Sequence, residues 1–406
     1  MTTVIPPQRE PRVLVEDLLV EHLDDLDFLW ERRARMVRSY EQFASHLAGL
    51  DRRMDANAVG LAIAPRASLP LLEEALGDKE PSRVAAAAWA LLRIGGERAV
   101  AAVLGALEAG PPPAREGVRQ ALVRGPAAEA LDRLKPLAAA PDAALAVAAA
   151  EALAAHGVPP GPQALAAWLA SPDPVVRAGA CRVAAWAGTG ADKLEPPAGS
   201  DADEAVRLAA FEAGAWLRAP WALALGRECA KAKDAENAGQ LAIFCALAEK
   251  ADAPLVAALG TDSGLGPARF GMLAAYGNVA SIEACLAGIA AKDAPDAEAA
   301  GAAFARLTGF GMGAAKRVTL PPPEDAGPDA AEFADEAFLA DPALAKRQWE
   351  ARREEFAKAR RWCRGLDADG ADNAAALDLG SRHETLLRAR FRGGWSGTRR
   401  EFLLLG

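Results

Sequence analysis

Apolar positions recur with helical spacing along most of the chain, and residues 171–188 show the pattern most clearly. Asp173 and Pro174 suit the start of a helix, because the Asp carboxylate accepts hydrogen bonds from free backbone N–H groups and proline needs none at the first helical position. Gly188 suits its end, since glycine readily adopts the left-handed conformation that closes many helices. Between them, small apolar residues share one helix face: Val176, Ala180, Val183, Ala184 and Ala187.

The same pattern repeats through the middle of the chain. Glycines mark it at intervals of 30, 32 and 31 residues, at Gly95, Gly125, Gly157 and Gly188. Each glycine follows an alanine-rich segment and precedes a shorter leucine-rich one, so the repeating unit is a helical hairpin. One hairpin cannot bury its own apolar face, whereas stacked neighbours can. We therefore predict an all-α fold, an α-solenoid of about eight helical hairpins. The alanine-rich helices are predicted at Arg83–Ile94, Ala114–Val123, Ala143–His156, Val175–Ala187, Glu204–Leu217, Ala238–Glu249, Ala268–Tyr276 and Ala297–Thr308.

The sequence divides into five predicted segments. Residues 1–10 are polar and contain prolines, and we expect them to be disordered, whereas residues 11–66 have large apolar residues and form a helical N-terminal cap. The repeat solenoid occupies residues 67–317. A proline-rich, acidic linker at 318–330 cannot be helical throughout. Residues 331–406 are expected to form a basic helical module, with its first helix at Ala343–Cys363.

Composition limits the class of protein and of partner. A net charge of −9 over 406 residues disfavours nucleic acid and anionic lipid as partners. The five cysteines are scattered without a C-x-x-C pair, which argues against a disulfide scaffold or a zinc ribbon. The first residues lack the charged start and apolar core of a signal peptide, and no long apolar run is free of charge. These features predict a cytoplasmic protein without a membrane segment.

Two stretches resemble a known repeat signature. Asp173-Pro174-x-Val176-Arg177 and, 30 residues later, Val206-Arg207-x-x-Ala210 are similar to the HEAT repeat, in the short form found in phycobilin-lyase-type repeats, within an armadillo-like fold. The resemblance implies that the Asp caps a helix and that the Arg reaches along neighbouring repeats. Both are structural roles, so no lyase activity follows from them.

The ends of the chain resemble an uncharacterised family of bacterial HEAT-repeat proteins. The similar positions are Phe28-Leu29-Trp30-x-x-Arg33 and His46-Leu47 near the start, Ala303-Phe304 with Leu307-Thr308-Gly309 at the close of the repeats, and Trp349, Phe356, Arg360 and Gly365 near the end. The family has no established activity. Its genes often lie near type VI secretion components, so the resemblance implies an adaptor role in effector loading.

Catalytic motifs are absent from the sequence, and we predict no catalytic residue, no metal site and no cofactor. None of the four histidines has the H-x-x-x-H spacing of a helical metal site. The alternative is an enzyme with a site near the N-terminal cap, built from His22, His46, Asp51 and Arg53. That alternative requires the two imidazoles to meet in space.

The C-terminal region is basic, with 14 Lys/Arg against 8 Asp/Glu between Lys346 and Arg400, a net charge of +6. Three interpretations stay open: a cap that folds back on the acidic repeats, an arm that binds an acidic protein, or a nucleic-acid binder that uses these arginines. The residues predicted to contact a partner are Trp349, Arg352, Arg353, Arg360, Arg361, Arg388, Arg390, Arg392, Trp395, Arg399 and Arg400.

Taken together, the sequence predicts a non-enzymatic scaffold or adaptor. Its binding surfaces would be the solenoid and the basic C-terminal module, because stacked repeats present extended surfaces to other proteins. The partner, the face that it contacts and the oligomeric state do not follow from the sequence.

Overall fold

The computed structural model describes residues 12–320, 336–356 and 361–405. Over these residues it contains 21 α-helices and four short β-strands, which confirms the predicted all-α class. No helix in this part of the chain combines the length and the apolar character that a membrane crossing needs. The chain divides into two compact units, Met1–Gly188 with Leu404–Gly406, and Thr189–Leu403. The predicted disordered segment 1–10 lies outside the described residues, as does Arg360.

The first unit contains ten helices in its described part. They are α1 (Arg12–Met36), α2 (Ala44–Ile63), α3 (Pro65–Ala75), α4 (Pro81–Ile94), α5 (Gly96–Ala109), α6 (Pro112–Arg124), α7 (Leu131–Leu137), α8 (Ala143–Ala155), α9 (Pro162–Leu169) and α10 (Pro174–Ala187). The alanine-rich helices stack in order, α4 on α6, α6 on α8 and α8 on α10. The intervening helices α5, α7 and α9 pack beside them, as expected for stacked hairpins.

The predicted helix ends are formed as the local sequence dictates. The Asp173 side chain accepts from the Val175 N–H at 2.8 Å, and Gly188 ends α10 in the left-handed conformation with φ of 70°. Gly125 departs from this pattern, because its φ is −83°. A Cβ there would lie 2.8 Å from Trp89 Cδ1, so this glycine allows the close approach of an indole rather than a left-handed turn.

Small residues set the distance between successive helices. A Cβ at Gly179 of α10 would lie 2.3 Å from Val147 Cγ1 of α8, so the two helices approach more closely than an alanine would allow. At the other end of the unit, α1 and α2 pack on α4 and cover its apolar face. There the Trp30 and Trp89 rings meet edge to face at 5.9 Å, and Trp30 Nε1 donates to Gln120 Oε1 at 2.9 Å.

The arginines of the repeat signature donate hydrogen bonds to backbone carbonyls just before their own helices. Arg177 donates to the carbonyls of Ser171 and Pro172, both at 2.9 Å, and thereby closes the loop that leads into its own helix. Arg207 does the same with the Asp201 carbonyl at 2.9 Å and also donates to Asn237 Oδ1 at 3.1 Å. Asn237 lies 30 residues further on, so Arg207 also contacts the segment one repeat interval ahead.

The second unit continues with helical hairpins and ends in a mixed segment. Its elements are α11 (Glu195–Ser200), α12 (Glu204–Trp216), α13 (Pro220–Ala232), α14 (Ala238–Leu247), α15 (Ala253–Gly260), α16 (Ala268–Tyr276), α17 (Val279–Gly288), α18 (Ala294–Thr308), β1 (Ala314–Thr319), β2 (Glu336–Ala340), α19 (Pro342–Phe356), β3 (Trp362–Cys363), β4 (Leu366–Asp367), α20 (Leu379–Phe391) and α21 (Arg399–Phe402). Here α12, α14, α16 and α18 stack in order, and α20 packs on α12 and α14.

The C-terminal segment differs from the purely helical module that we predicted. Strands β1 and β2 form an antiparallel pair, so residues 318–319 of the predicted linker are strand, while residues 321–330 lie outside the described part. The expectation of one helix from Ala343 to Cys363 is wrong, because Trp362–Cys363 is a strand that pairs with Leu366–Asp367. The Arg364-Gly365 turn explains the pairing, since both residues have positive φ, 54° and 73°, as tight hairpin turns require.

Candidate functional site

The residues of the alternative enzyme site do not converge. His22 Nδ1 lies 2.8 Å from Asn57 Oδ1 in the second half of α2, whereas His46 lies in the first turn of α2. There its Nδ1 accepts from the Phe43 N–H at 3.3 Å. Eleven residues of helix separate positions 46 and 57, which corresponds to about 16 Å. The two imidazoles therefore have separate structural roles.

The other two residues of that site, Asp51 and Arg53, lie in different surroundings. Asp51 accepts from Arg33 Nε at 2.7 Å and from Arg124 Nη2 at 2.6 Å, which makes it the centre of an ion cluster that ties α1, α2 and α6 together. Arg53 is exposed. Across the described residues, no group of three His, Cys, Asp or Glu side chains could hold a metal ion.

The basic C-terminal residues lie against the ends of repeat helices. Arg361 and Arg388 are buried, with exposed fractions of 3% and 5%. Both donate to the Ala246 carbonyl in the last turn of α14, at 3.0 and 3.5 Å, and Arg361 also donates to the Ala275 carbonyl in the last turn of α16. Cations are favourable there because a helix C-terminus carries unpaired carbonyls and partial negative charge.

Neighbouring residues make similar contacts at the ends of α12 and α14. Arg390 and Arg392 donate to the Trp216 and Ala248 carbonyls, at 3.5 and 3.2 Å. The Arg399 guanidinium lies 5.2 Å from the centre of the Trp216 ring, and the Trp395 ring meets the same indole at 6.1 Å. We call the segment 361–402 the C-terminal latch, because its arginines close the open ends of α12, α14 and α16.

Backbone hydrogen bonds reinforce the latch. The Trp362 N–H donates to the Gly277 carbonyl at 2.7 Å, and the Arg364 N–H donates to the Arg306 carbonyl at 2.7 Å. Burial lowers the pKa of Arg388, and the nearby charges of Arg361 and Arg392 lower it further. An arginine starts from so high a pKa that it still carries its charge at neutral pH.

The remaining predicted partner residues divide between interior and surface. Trp349 is buried, with its ring 6.4 Å from Phe304 and 5.3 Å from Phe356. Arg352 and Arg353 are exposed, and Arg400 is partly buried. Since Trp349, Arg361 and Arg388 are enclosed by this chain itself, they do not belong to a surface that a partner could contact.

An open groove lies on the stacked helices of the first unit. It has a volume of about 200 Å³ and crosses α6, α8 and α10. Its floor is apolar, and Val175 at its rim is 68% exposed. We call it the repeat groove. It is lined by Pro112, Arg115, Glu116, Arg119, Ala144, Val147, Ala148, Asp173, Val175, Val176 and Arg182.

A row of ion pairs runs along the repeat groove. Glu151 of α8 is buried and accepts from Arg119 Nη1 of α6 at 2.8 Å and from Arg182 Nε of α10 at 3.0 Å. Arg119 also pairs with Glu116 at 2.5 Å. Burial by itself would raise the pKa of Glu116, but the hydrogen bond and the charge of Arg119 outweigh it and lower the pKa to about 2. Glu116 therefore stays ionised at neutral pH.

Sequence reasoning missed this groove, although two signals for it exist. Arg119, Glu151 and Arg182 are separated by 32 and 31 residues, the interval of the repeat, so stacked helices bring them side by side. Val175 lies off the apolar stripe that begins at Val176, and an apolar residue outside the stripe indicates exposure.

No protein-family model matches the chain, and neither does any curated protein. One matching solved structure is a crystal structure of an engineered protein from a structural genomics consortium, 19% identical, with 69% of this chain and 88% of that chain covered. Its TM-score of 0.29 is too low to support a statement about fold or function.

Proposed function

We propose that the protein is a non-enzymatic scaffold or adaptor, and that the repeat groove binds an apolar side chain of a partner protein. The observation that carries this proposal is the groove itself, an apolar floor built from three successive repeats with the exposed Val175 at its rim. Small-molecule pockets usually measure about 300–1,000 Å³. A groove of about 200 Å³ is better matched to one large apolar side chain, the kind of anchor that dominates protein interfaces.

The charged side of the groove supports binding rather than chemistry. Glu151 holds Arg119 and Arg182 in fixed positions, so the wall is rigid before a partner arrives. A preorganised wall reduces the entropy lost on association. In the C-terminal region, Arg352 and Arg353 stay candidates for partner contacts because they are exposed. The association with a type VI secretion system stays a prediction.

Site-specific photo-crosslinking tests the proposal in cells that naturally express the protein. A benzophenone amino acid replaces Val175 at the groove, and in a control chain it replaces Glu97, whose side chain is 87% exposed on α5. We expect a defined protein adduct from position 175 that is absent from position 97. Excess unlabelled wild-type chain should compete with the adduct, and a chain carrying Val175→Arg should not.

Two results would contradict the proposal. One is the absence of any protein adduct at position 175, and the other is the same set of adducts from both positions. The identity of a specific adduct also tests the predicted link to effector loading, because a secretion component or its adaptor would then be the cross-linked species.

A further inference from the structure

The outer face of α1 carries a stripe of exposed side chains. Its members are spaced alternately by three and four residues, so they lie on one helix face. Leu18 and Phe28 are 47% and 50% exposed, and the charged members are exposed as well. The opposite face, with Leu19, Leu23 and Leu26, is buried against α2 and α4. We call this the α1 stripe, and it consists of Leu18, Glu21, Asp25, Phe28, Arg32 and Arg35.

Charge along the α1 stripe changes sign at its middle. Glu21 and Asp25 precede Phe28, and Arg32 and Arg35 follow it. The helix dipole favours acidic residues in the first turn of a helix and basic residues in the last turn, and its effect does not extend further. Glu21 lies nine residues after the start of α1 at Arg12, so the helix dipole does not account for its position.

Among the described residues, the charges at the centre of the stripe have no side-chain partner. Over the described residues, no ion pair or hydrogen bond joins Glu21, Asp25 or Arg32 to another side chain. Arg35 pairs with Glu31 at 3.4 Å within the same helix, but both side chains are more than half exposed. Such a pair contributes little, so Arg35 can exchange it for another carboxylate.

We propose that the protein binds a second copy of itself through the α1 stripe, with the two α1 helices antiparallel about a two-fold axis. In that orientation Glu21 of each copy faces Arg32 of the other, Leu18 faces the alkyl stem of Arg35, and Asp25 lies beside Phe28. When the two helices run antiparallel, the acidic half of each stripe faces the basic half of the other. This self-complementarity is the property that an isologous dimer needs. The contact spans about 26 Å of helix, so the dimer is weak and sensitive to salt.

Charge reversal on the full chain tests this dimer directly. We expect sedimentation velocity of the wild-type chain to show self-association that rises with protein concentration and falls between about 50 and about 500 mM NaCl. Glu21→Arg and Arg32→Glu should each raise the dissociation constant at least about tenfold, since each places like charges opposite one another. Arg53→Glu, an exposed charge on α2, is the matched control and should leave the association unchanged.

Mixing the two reversed chains gives the decisive result. The arginine introduced at position 21 of the first variant would then face the glutamate introduced at position 32 of the second. The retained Arg32 of the first would face the retained Glu21 of the second, so the mixture should recover the association that each variant has lost.

Circular dichroism verifies that all variants keep the helical content of the wild type. A wild-type chain that stays monomeric at all concentrations overturns the proposal. So does a mixture that fails to associate, because the self-contact would then use another surface. The α1 stripe and the repeat groove share no residue, so either proposal can fail alone.

Discussion

Replacing Arg361 by methionine should open the ends of two helices in the second unit. Its guanidinium donates to the Ala246 carbonyl of α14 at 3.0 Å and to the Ala275 carbonyl of α16, and its side chain is 3% exposed. Methionine keeps much of the apolar stem but donates nothing, so both carbonyls lose this charged donor. Glu384 keeps an ion pair with Arg306.

The size of the effect follows from the two lost bonds. A hydrogen bond to a charged group contributes about 1.5–3 kcal/mol, and removing one partner of a buried ionic contact costs about 3–5 kcal/mol. We expect a loss of about 3–5 kcal/mol in the free energy of opening these helix ends. Arg361→Lys should lose about half of that, because an ammonium group reaches one carbonyl and lacks the planar fork that reaches both.

Native-state hydrogen exchange measures this loss where it occurs. Amides in the last turns of Ala238–Leu247 and Ala268–Tyr276 should exchange at least about 100-fold faster in the methionine variant, since about 1.4 kcal/mol corresponds to a factor of ten. Amides of α4 in the first unit serve as the internal reference. Arg352→Met is the matched control, since Arg352 is exposed in the same C-terminal segment, and it should leave exchange unchanged.

Refutation is equally specific. If Arg361→Met changes exchange at these helix ends by less than about threefold, the arginine does not close them, and our account of the C-terminal latch fails. Equal effects of Arg361→Met and Arg352→Met would show that loss of positive charge matters rather than the buried contacts.

Three further predictions concern packing, thiol reactivity and pH. Gly179→Ala should destabilise the first unit by about 1–3 kcal/mol in urea unfolding, because the new Cβ meets Val147 Cγ1. Gly271 of α16 faces open space, so Gly271→Ala should instead stabilise the second unit by about 0.5–1 kcal/mol. In the native protein, a thiol reagent should modify Cys229 alone, since the other four cysteines are buried. Because the pKa of Glu116 is lowered, the contribution of this carboxylate to stability is complete above about pH 4.5 and is lost as the pH falls towards 2. Glu116→Gln should therefore make the urea midpoint less dependent on pH in that range.

Each of these predictions has a clear contrary result. Equal effects of the two glycine substitutions would show that helix propensity, and not close packing, governs both sites. Modification of two or more thiols before unfolding would show that the buried cysteines are accessible, and quantifying them by mass spectrometry identifies which. An unchanged slope in the Glu116→Gln variant between about pH 4.5 and 2 would mean that Arg119 does not hold that carboxylate ionised.

The sequence alone determined the helical repeats and their ends. Asp173 caps α10, Gly188 closes it, and the eight predicted alanine-rich helices are all present with boundaries close to those expected. These features depend on residues a few positions apart, because helix capping and helix periodicity are local properties of the chain. The ion pairs beside the repeat groove also follow the interval of about 31 residues, since Arg119, Glu151 and Arg182 occupy equivalent places in successive repeats.

Only the tertiary structure decided what the C-terminal arginines do. Arg361 and its acceptor Ala246 are 115 residues apart, and composition alone left a cap, a protein-binding arm and a nucleic-acid surface as alternatives. Whether an arginine is buried or exposed depends on which groups surround it after folding, because burial is favourable only where hydrogen-bond acceptors compensate the lost hydration. The carbonyls at the ends of α14 and α16 supply that compensation. The residues next to Arg361 in the sequence do not predict where these carbonyls lie.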